Sequence, residues 1–280
     1  MAIRIITDSA SDLPISLQKE LGITIMQVPV FIEEKEYVND GSAGYKDFYT
    51  TIAKLSAPPK TAQINPYRME EEFKHWLGKS NEIIGMFMSS ELSGTHQSAL
   101  MARNMLDGQQ IYIVDTKNIT VGLGLLVLEA VRLRDAGMTA RDIYERLSEL
   151  KNRVKLFAVV DTLKYLKMGG RISGTAALIG TMLNIKPLVQ VFEGKVLPLA
   201  KAKGYSKAVQ EIFGFIEKHP IDTALGAVIA HSDALDGAQG FARQVKARYD
   251  VEIKGIHELG PALGSHVGPG GIGIAYFEKK

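Results

Sequence analysis

Short apolar runs alternate with amphipathic stretches through the first half of the chain. The runs are rich in Ile, Val and Met and are typical of buried strands: IRIITDS, ITIMQVPVFI, EIIGMFMSS and QIYIVDT. Helical periodicity lies between several of them, most clearly in NPYRMEEEFKHWL and GTHQSALMARNML. Because strands that alternate with helices form parallel sheets covered on both faces, the pattern predicts an α/β fold.

The second half of the chain has a different pattern. Thr139 and Asp142 give a capping-box-like start to the helix TARDIYERLSELKN. Strand-like runs follow, and one of them turns back at Glu193-Gly194: LFAVVDT, LVQVFEGKVLPLA, LGAVIAHS, VEIKGIHEL and GIGIAYFEK. Tight turns between strands indicate an antiparallel or mixed sheet. We therefore predict an N-terminal α/β domain over residues 1–153 and a C-terminal α/β domain over 154–280, packed together without a flexible linker.

Composition narrows the possible chemistry. The chain has 280 residues, a formal net charge of +2 and no cysteine, which excludes disulfides, thiolate metal sites and cysteine nucleophiles. The net charge gives no reason to expect a nucleic-acid partner. The six histidines lack the spacing of an HExxH motif, so we expect no metal. The first apolar run meets Asp8 too early for a secretory signal, and the run over 119–128 is too short to span a bilayer, so we expect a cytoplasmic protein.

Small polar clusters follow the predicted strands of the first half. TDSASDLP (7–14) follows the first strand and MSSELSGTHQS (88–98) follows the third. Ligands of open parallel sheets bind at the carboxyl ends of the strands. Ser93, Gly94 and Thr95 would bring a hydroxyl and free amides to a helix N-terminus, which is a favourable place for an anion. Taken alone, the same residues fit plain helix capping better.

Two later clusters contain residues that could reach the same ligand. PPKTAQINP is held extended by its prolines, so Thr61 and Gln63 could point to one side, but taken alone the stretch is better explained as a surface loop. LGSHVGPGG places His266 among glycines that let the backbone approach a ligand. For His266 alone, a core histidine with a backbone partner is the simpler interpretation.

The cluster LKYLKMGGRISGTAALIGTMLNIKP is basic at its start and apolar at its end. Lys164, Lys167 and Arg171 flank a Gly-Gly pair, but the spacing is not that of a phosphate-binding P-loop. The apolar segment 176–185 is typical of a core helix or of a mobile lid over an apolar site.

Together and in this order, the clusters resemble the DegV family, the fatty-acid-binding subunits of bacterial fatty acid kinase. The matching pieces extend from residue 7 to residue 271: TDSASDLP, PKTAQINP, SSELSGTHQSA, VDT with Gly122 and Gly124, LKYLKMGGRIS, LNIKPL and LGSHVGPGG. Each piece is weak alone, and the seven in sequence order are specific. The resemblance implies a two-domain DegV-like fold, an N-terminal Rossmann-like parallel sheet followed by a mixed or antiparallel sheet, with a long-chain fatty acid between them.

The resemblance also assigns roles to individual residues. It implies that Thr61, Ser93 and His266 bind the fatty-acid carboxylate, and that the head-group pocket is completed by Gly94, Thr95, Gly264 and Ser265. Many members of the family have TSQPS where this chain has TAQINP, so Ala62 and Ile64 are expected to change the pocket mouth while Thr61 is kept.

A partner protein is implied as well. The resemblance implies that a separate kinase subunit, using ATP and Mg, phosphorylates the bound carboxylate to an acyl phosphate for phospholipid synthesis. The chain itself would then be a binding subunit with no independent catalysis and no cofactor. We expect Arg171, with Lys164 and Lys167, to contact phosphate or to dock the kinase. We also expect a monomer that meets the inner face of the membrane transiently, for lipid exchange.

Two other functions stay open from the sequence. Ser93 and His266 could form a serine hydrolase site with Asp8 or Asp115 as the orienting acid, although Ser93 is not in a GxSxG elbow. The SGT and GGR stretches could instead belong to a module that binds a nucleotide or a sugar phosphate.

Overall fold

The computed structural model describes residues 2–38, 41, 44–79, 82–108, 110–174 and 184–280. Of the apolar segment 176–185 proposed as a lid, residues 176–183 lie outside this part of the chain. The described strands are β1 (Ile3–Asp8), β2 (Ile23–Met26), β3 (Val30–Ile32), β4 (Lys35–Glu36), β5 (Lys60–Thr61), β6 (Glu82–Phe87), β7 (Ile111–Asp115), β8 (Val154–Val159), β9 (Ile185–Phe192), β10 (Lys195–Lys203), β11 (Ala227–Ser232), β12 (Ile253–Glu258) and β13 (Gly271–Phe277).

The described α-helices lie between these strands. They are α1 (Ile15–Glu20), α2 (Lys46–Ile52), α3 (Pro66–Leu77), α4 (Thr95–Met105), α5 (Thr120–Asp135), α6 (Ala140–Leu150), α7 (Lys164–Met168), α8 (Tyr205–Lys218), α9 (Leu235–Tyr249) and α10 (Pro261–Val267). The predicted start of α6 is confirmed, because the Thr139 side chain accepts a hydrogen bond from the backbone N–H of Asp142.

The first half forms a parallel sheet, as the pattern predicts. The sheet has four strands in the order β2-β1-β6-β7. The prediction of one continuous strand in ITIMQVPVFI is wrong. β2 ends at Met26, and β3 starts at Val30 in a separate antiparallel sheet with β4 and β5. Pro29, between them, has no N–H to donate to a sheet, which accounts for the break.

The strand order of the parallel sheet reverses between β1 and β6. From β1 the chain passes through α1 to β2 on one side, and from β6 it passes through α4 to β7 on the other side. Because βαβ crossovers are right-handed, opposite directions place α1 and α4 on opposite faces of the sheet. The loops after β1 and β6 therefore diverge and leave a crevice, the usual position of ligands in open α/β sheets.

The second half forms a six-stranded mixed sheet in the order β10-β9-β8-β13-β11-β12. β11 and β12 pair in parallel, and the other described neighbours pair antiparallel. The predicted turn at Glu193-Gly194 is confirmed, with φ angles of 49° and 82°. Positive φ at both central residues is the geometry that twists a tight hairpin in the same sense as its strands.

Helix α5 connects the two sheets. It is largely buried and packs against β1 and β6 of the parallel sheet and against β11 and β13 of the mixed sheet. One apolar core therefore extends from Ile5 to Ala275, and a second lies under α8 and α9 on the other face of the mixed sheet. The mixed sheet begins at Val154, directly after the predicted boundary, but the shared core leaves the division into two domains a prediction.

Candidate functional site

An apolar cavity lies between the mixed sheet and the carboxyl ends of the parallel strands. It holds about 1180 Å³ of empty space, part of it at an open mouth. Its walls are mostly aliphatic and include Met88 and Leu263 on one side and Leu156, Val189 and Val191 of the mixed sheet on the other. Its mostly aliphatic lining favours a ligand with a long apolar part.

The polar residues of the cavity include Thr61 on β5. β5 pairs with β3 through Val30 and Thr61, and the N–H of Ala62 donates to the carbonyl of Pro29 at 3.0 Å. This pairing holds Thr61 extended, so that its hydroxyl reaches the cavity, where it lies 2.9 Å from Nε2 of His266. Ala62 also lines the cavity, but Ile64 is fully buried in the apolar core, so the expectation that it shapes the mouth is wrong.

Ser93 and Gly94 line the cavity from the loop that follows β6. Ser93 Oγ accepts the backbone N–H of Thr95 at 3.2 Å and lies 3.0 Å from the Thr95 hydroxyl. Gly94 is the N-cap residue of α4 and no side chain among the described residues caps this helix, so the prediction that Ser93 or Thr95 caps it is wrong. When the Thr95 hydroxyl donates to Ser93 Oγ, the Ser93 hydroxyl proton is available for a ligand. A Cβ on Gly94 would lie 1.9 Å from Oε1 of Gln63, so the end of the Gln63 side chain packs directly on this glycine.

His266 lies in the last turn of α10, with its ring against the loop that follows α7. A Cβ on Gly169 would lie 2.2 Å from Nδ1 of His266, so the ring packs directly on that glycine. Nδ1 is buried and has no hydrogen-bond partner among the described residues. Burial and the nearby charge of Arg171 lower the pKa of His266 to about 4, so its imidazole is neutral at pH 7 in this state.

Three of the four residues expected to complete the head-group pocket lie elsewhere. Thr95 is fully buried behind Ser93. Gly264 faces the packed interior, because a Cβ there would lie 2.8 Å from ring atoms of Phe48 and from the hydroxyl of Tyr49. Ser265 is buried and donates its hydroxyl to the Pro261 carbonyl at 2.7 Å. The helical turn of α10 explains this, since residues 264 and 265 point away from the side that bears His266.

The three basic residues predicted for phosphate or kinase contact are exposed near the cavity. Arg171 lines the cavity, donates Nη1 to the carbonyl of Gly169 at 2.7 Å and approaches the carbonyl of Leu92 at 3.4 Å. Its exposed guanidinium therefore lies at the mouth, between the loop that carries Ser93 and Gly169, the glycine that contacts the His266 ring. Lys164 and Lys167 lie on α7 with their side chains in solvent.

The described part of the chain gives the hydrolase alternative no orienting acid. Asp8 is occupied by the backbone N–H groups of Ala10 and Met88, each at 2.9 Å. Asp115 accepts the Ser90 hydroxyl at 2.5 Å and pairs with Lys117 at 3.0 Å. A serine triad needs a carboxylate on the second ring nitrogen of its histidine, and Nδ1 of His266 has no partner in the described part of the chain. The aliphatic walls likewise fit poorly with a nucleotide or sugar phosphate.

Two negative observations apply to the described residues alone. No helix among them is long and apolar enough to cross a membrane. No group of three or more His, Asp or Glu side chains among them is arranged to hold a metal ion.

The sequence analysis did not identify Asp12, which contacts the start of the helix that carries His266. It is almost fully buried, and its Oδ1 accepts the backbone N–H of Gly260, at the start of α10, at 2.8 Å. The sequence feature that could have drawn attention to it is the pair Asp8 and Asp12, which lie in a loop of small residues directly after a buried strand. That signal does not reveal the distant backbone that Asp12 contacts.

The fold and the site define a class: an α/β protein with a parallel and a mixed sheet and a small antiparallel one, whose apolar cavity is lined by two hydroxyls and one imidazole. The model of the family described as "Uncharacterised protein, DegV family" matches residues 2–279. A DegV domain-containing protein of Clostridium perfringens is 36% identical over an alignment of 281 positions that covers 98% of this chain and 96% of the relative. The chain belongs to the DegV family.

Solved structures of the same family are similar over their whole length. A DegV family protein of Thermus thermophilus, described by its fatty acid binding, is 29% identical, with a TM-score of 0.90 and full coverage of both chains. DegV of Bacillus subtilis, described as a fatty acid binding protein, is 28% identical, with a TM-score of 0.85 and full coverage of both chains.

Proposed function

We propose that this chain binds one long-chain fatty acid in the apolar cavity, with its carboxylate held by Thr61, Ser93 and His266. The observation that carries the proposal is the Thr61–His266 pair at 2.9 Å, which lines the same mostly aliphatic cavity as Ser93. The fatty acid binding described for the Thermus and Bacillus relatives supports the same ligand class.

The hydrocarbon tail supplies most of the affinity. Burying one methylene contributes about 0.8 kcal/mol, so a tail of about fourteen to eighteen carbons offers on the order of 10 kcal/mol before costs. Loss of translational and rotational freedom, together with ordering of the chain, removes much of that. The head group sets the position of the tail and contributes a smaller share of the affinity.

The carboxylate must be hydrogen-bonded, because an unpaired buried charge is strongly unfavourable. With a proton on Nε2, His266 donates to Thr61 Oγ1, and the Thr61 hydroxyl proton is free to point at the ligand. Ser93 donates a second hydroxyl proton. A bound carboxylate also favours the charged imidazole, so binding raises the pKa of His266 from its low value in the free protein.

We further propose that the bound acid is presented to a separate kinase subunit that uses ATP and Mg to form an acyl phosphate for phospholipid synthesis. The attacking carboxylate must stay ionised and within reach of the incoming phosphate. Arg171, at the mouth, is suited to contact that phosphate, and the exposed Lys164 and Lys167 are suited to an acidic docking face. The chain itself then contributes binding, with no catalysis of its own.

Three accompanying expectations also stay predictions. They are a cytoplasmic location with transient contact at the inner face of the membrane, a monomeric state, and two domains that meet at residue 153.

Calorimetric titration with palmitate tests the binding proposal. We expect about one palmitate per chain, and a much weaker signal from ATP or a sugar phosphate. Adding a fatty acid kinase subunit and ATP tests the second step, because an acyl phosphate is trapped by hydroxylamine as a hydroxamate. Turnover of a simple ester that is abolished by Ser93→Ala would support the hydrolase alternative instead.

A further inference from the structure

The first loop of the parallel sheet, residues 8–12, contacts both parts of the chain that carry the polar end of the cavity. Its sequence is DSASD, with an acid at each end. Both acids are buried: Asp8 has no exposed surface and Asp12 is 7% exposed. Neither belongs to the proposed carboxylate cradle, defined here as Thr61, Ser93 and His266.

The Asp8 carboxyl is hydrogen-bonded to the segment that leads to Ser93. Its Oδ2 accepts the backbone N–H of Met88 at 2.9 Å, and Met88 is the first residue after β6. From there the chain folds into a tight loop, in which the N–H of Ser93 donates to the carbonyl of Ser89 at 3.2 Å. The position of Ser93 is therefore tied to the Asp8 carboxyl through one short, hydrogen-bonded loop.

The Asp12 carboxyl is hydrogen-bonded to the start of the helix that carries His266. Its Oδ1 accepts the backbone N–H of Gly260 at 2.8 Å, immediately before α10 begins. The carbonyl of Gly260 accepts the N–H of Gly264 at 2.8 Å and so forms part of the first helical turn. Because His266 lies in the last turn of this short helix, a shift at Gly260 moves the imidazole with it.

Burying a carboxyl group is energetically unfavourable, so the presence of two buried acids in this loop suggests a specific role for them. Burial raises the pKa of Asp8 and of Asp12 to about 7. Apolar residues of similar volume are often no worse for stability than buried charged groups. Hydrogen bonds from backbone N–H groups to carboxylates are, however, short and directional, which suits a part that fixes distances.

We propose that Asp8 and Asp12 are positioning residues, and that the first loop acts as a spacer that sets the separation of Ser93 and His266 across the cradle. The inference rests on the proposed function, because it concerns how the same head group is held. It predicts that a change at either acid affects ligands with a carboxylate more than ligands with the same tail and no charge.

The test compares Asp12→Ala with the conservative Asp12→Asn, which keeps an oxygen that can accept the Gly260 N–H. Glu129→Gln is the matched control, because Glu129 is also buried, 6% exposed, but pairs with Arg132 in the second half of α5. The probes are palmitate labelled with carbon-13 at its carboxyl carbon, followed by NMR, and hexadecanol, followed by calorimetry. Thermal unfolding is recorded for every variant.

We expect Asp12→Ala to weaken palmitate binding about tenfold. This corresponds to the loss of one hydrogen bond between the displaced cradle and the charged carboxylate of the ligand. We also expect it to move the carboxyl resonance of the bound acid, while hexadecanol binding changes less than about twofold. Asp12→Asn should recover part of the loss, and Glu129→Gln should lower the unfolding temperature without either effect.

Equal weakening of palmitate and hexadecanol by Asp12→Ala, or an unmoved carboxyl resonance, would overturn the inference and leave the proposed function standing. If Asp12→Ala does not fold, Asp12→Asn and Asp8→Asn carry the same comparison against Glu129→Gln. A wild-type protein that binds no labelled palmitate would overturn the proposed function and this inference with it.

Discussion

Nε2 of His266 lies 2.9 Å from the hydroxyl of Thr61, although 205 positions separate the two residues in the chain. β5 presents the threonine from the small antiparallel sheet, and α10 presents the histidine from the other end of the sequence. Nδ1 of His266 has no hydrogen-bond partner among the described residues. We therefore expect the neutral ring to carry its proton on Nε2, where it donates to Thr61 Oγ1. The threonine hydroxyl can then donate to a ligand.

Removing the Thr61 hydroxyl should weaken binding of fatty acids. Thr61→Val keeps the shape and loses the donor, so we expect palmitate to bind roughly 10- to 100-fold more weakly. Thr61→Ser keeps the hydroxyl and should stay within a few-fold of wild type. Dissociation constants from calorimetry compare the two variants, and equal affinities for both would contradict a head-group role for Thr61.

A methyl group at Gly169 should displace His266. The added Cβ would lie 2.2 Å from Nδ1, closer than real contacts allow, so either the loop or the ring must move. We expect Gly169→Ala to weaken palmitate binding about tenfold, as for loss of one head-group hydrogen bond. Gly214→Ala is the control, because a Cβ there meets nothing within 4 Å and should leave affinity unchanged.

A larger side chain at Ala158 should shorten the space for the tail. Ala158 lines the cavity on β8 of the mixed sheet. Phenylalanine there would occupy volume that a long tail needs, so we expect Ala158→Phe to weaken palmitate binding more than octanoate binding. A competition assay with acids of increasing length measures the effect. An unchanged order of affinities would place the tail elsewhere.

The neutral state of His266 predicts a loss of stability in acid. Its pKa is about 4 in the folded protein and about 6.5 when unfolded, so the unfolded chain binds the extra proton between these values. This contribution to stability is complete above pH 6.5 and is lost as the pH falls toward 4. His266→Gln removes the effect, so between pH 7 and pH 5 the variant should lose about 2 kcal/mol less than wild type.

Urea unfolding at the two pH values measures that difference. His75→Gln is the control, because the His75 side chain is exposed on α3 and its replacement should leave the wild-type slope intact. Identical slopes for wild type and His266→Gln would mean that burial does not keep this ring neutral.

Local patterns predicted much of the fold because they report local physics. Alternating strands and helices predicted the parallel sheet, because a helix between two strands returns the chain to the same end of the sheet. Glu193-Gly194 predicted the hairpin, because a tight turn depends on its own residues. The break at Pro29 was missed because the residues on both sides of it are apolar and look like one strand. The pattern does not show that proline lacks the backbone N–H that a sheet needs.

The site was less predictable because it depends on contacts between distant parts of the chain. The resemblance supplied Thr61, Ser93 and His266, but residue spacing could not show that Gly264 and Ser265 turn away on α10. Nor could it show that Asp12 reaches Gly260, because that bond exists only once both sheets are assembled.

Native mass spectrometry of the purified protein, followed by extraction and analysis of its lipids, tests the central claim most directly. We predict a mass increase of one long-chain fatty acid per chain, which is lost on extraction and restored by added palmitate. Protein that carries no lipid after purification, and takes up neither palmitate nor oleate when they are added, would contradict the account.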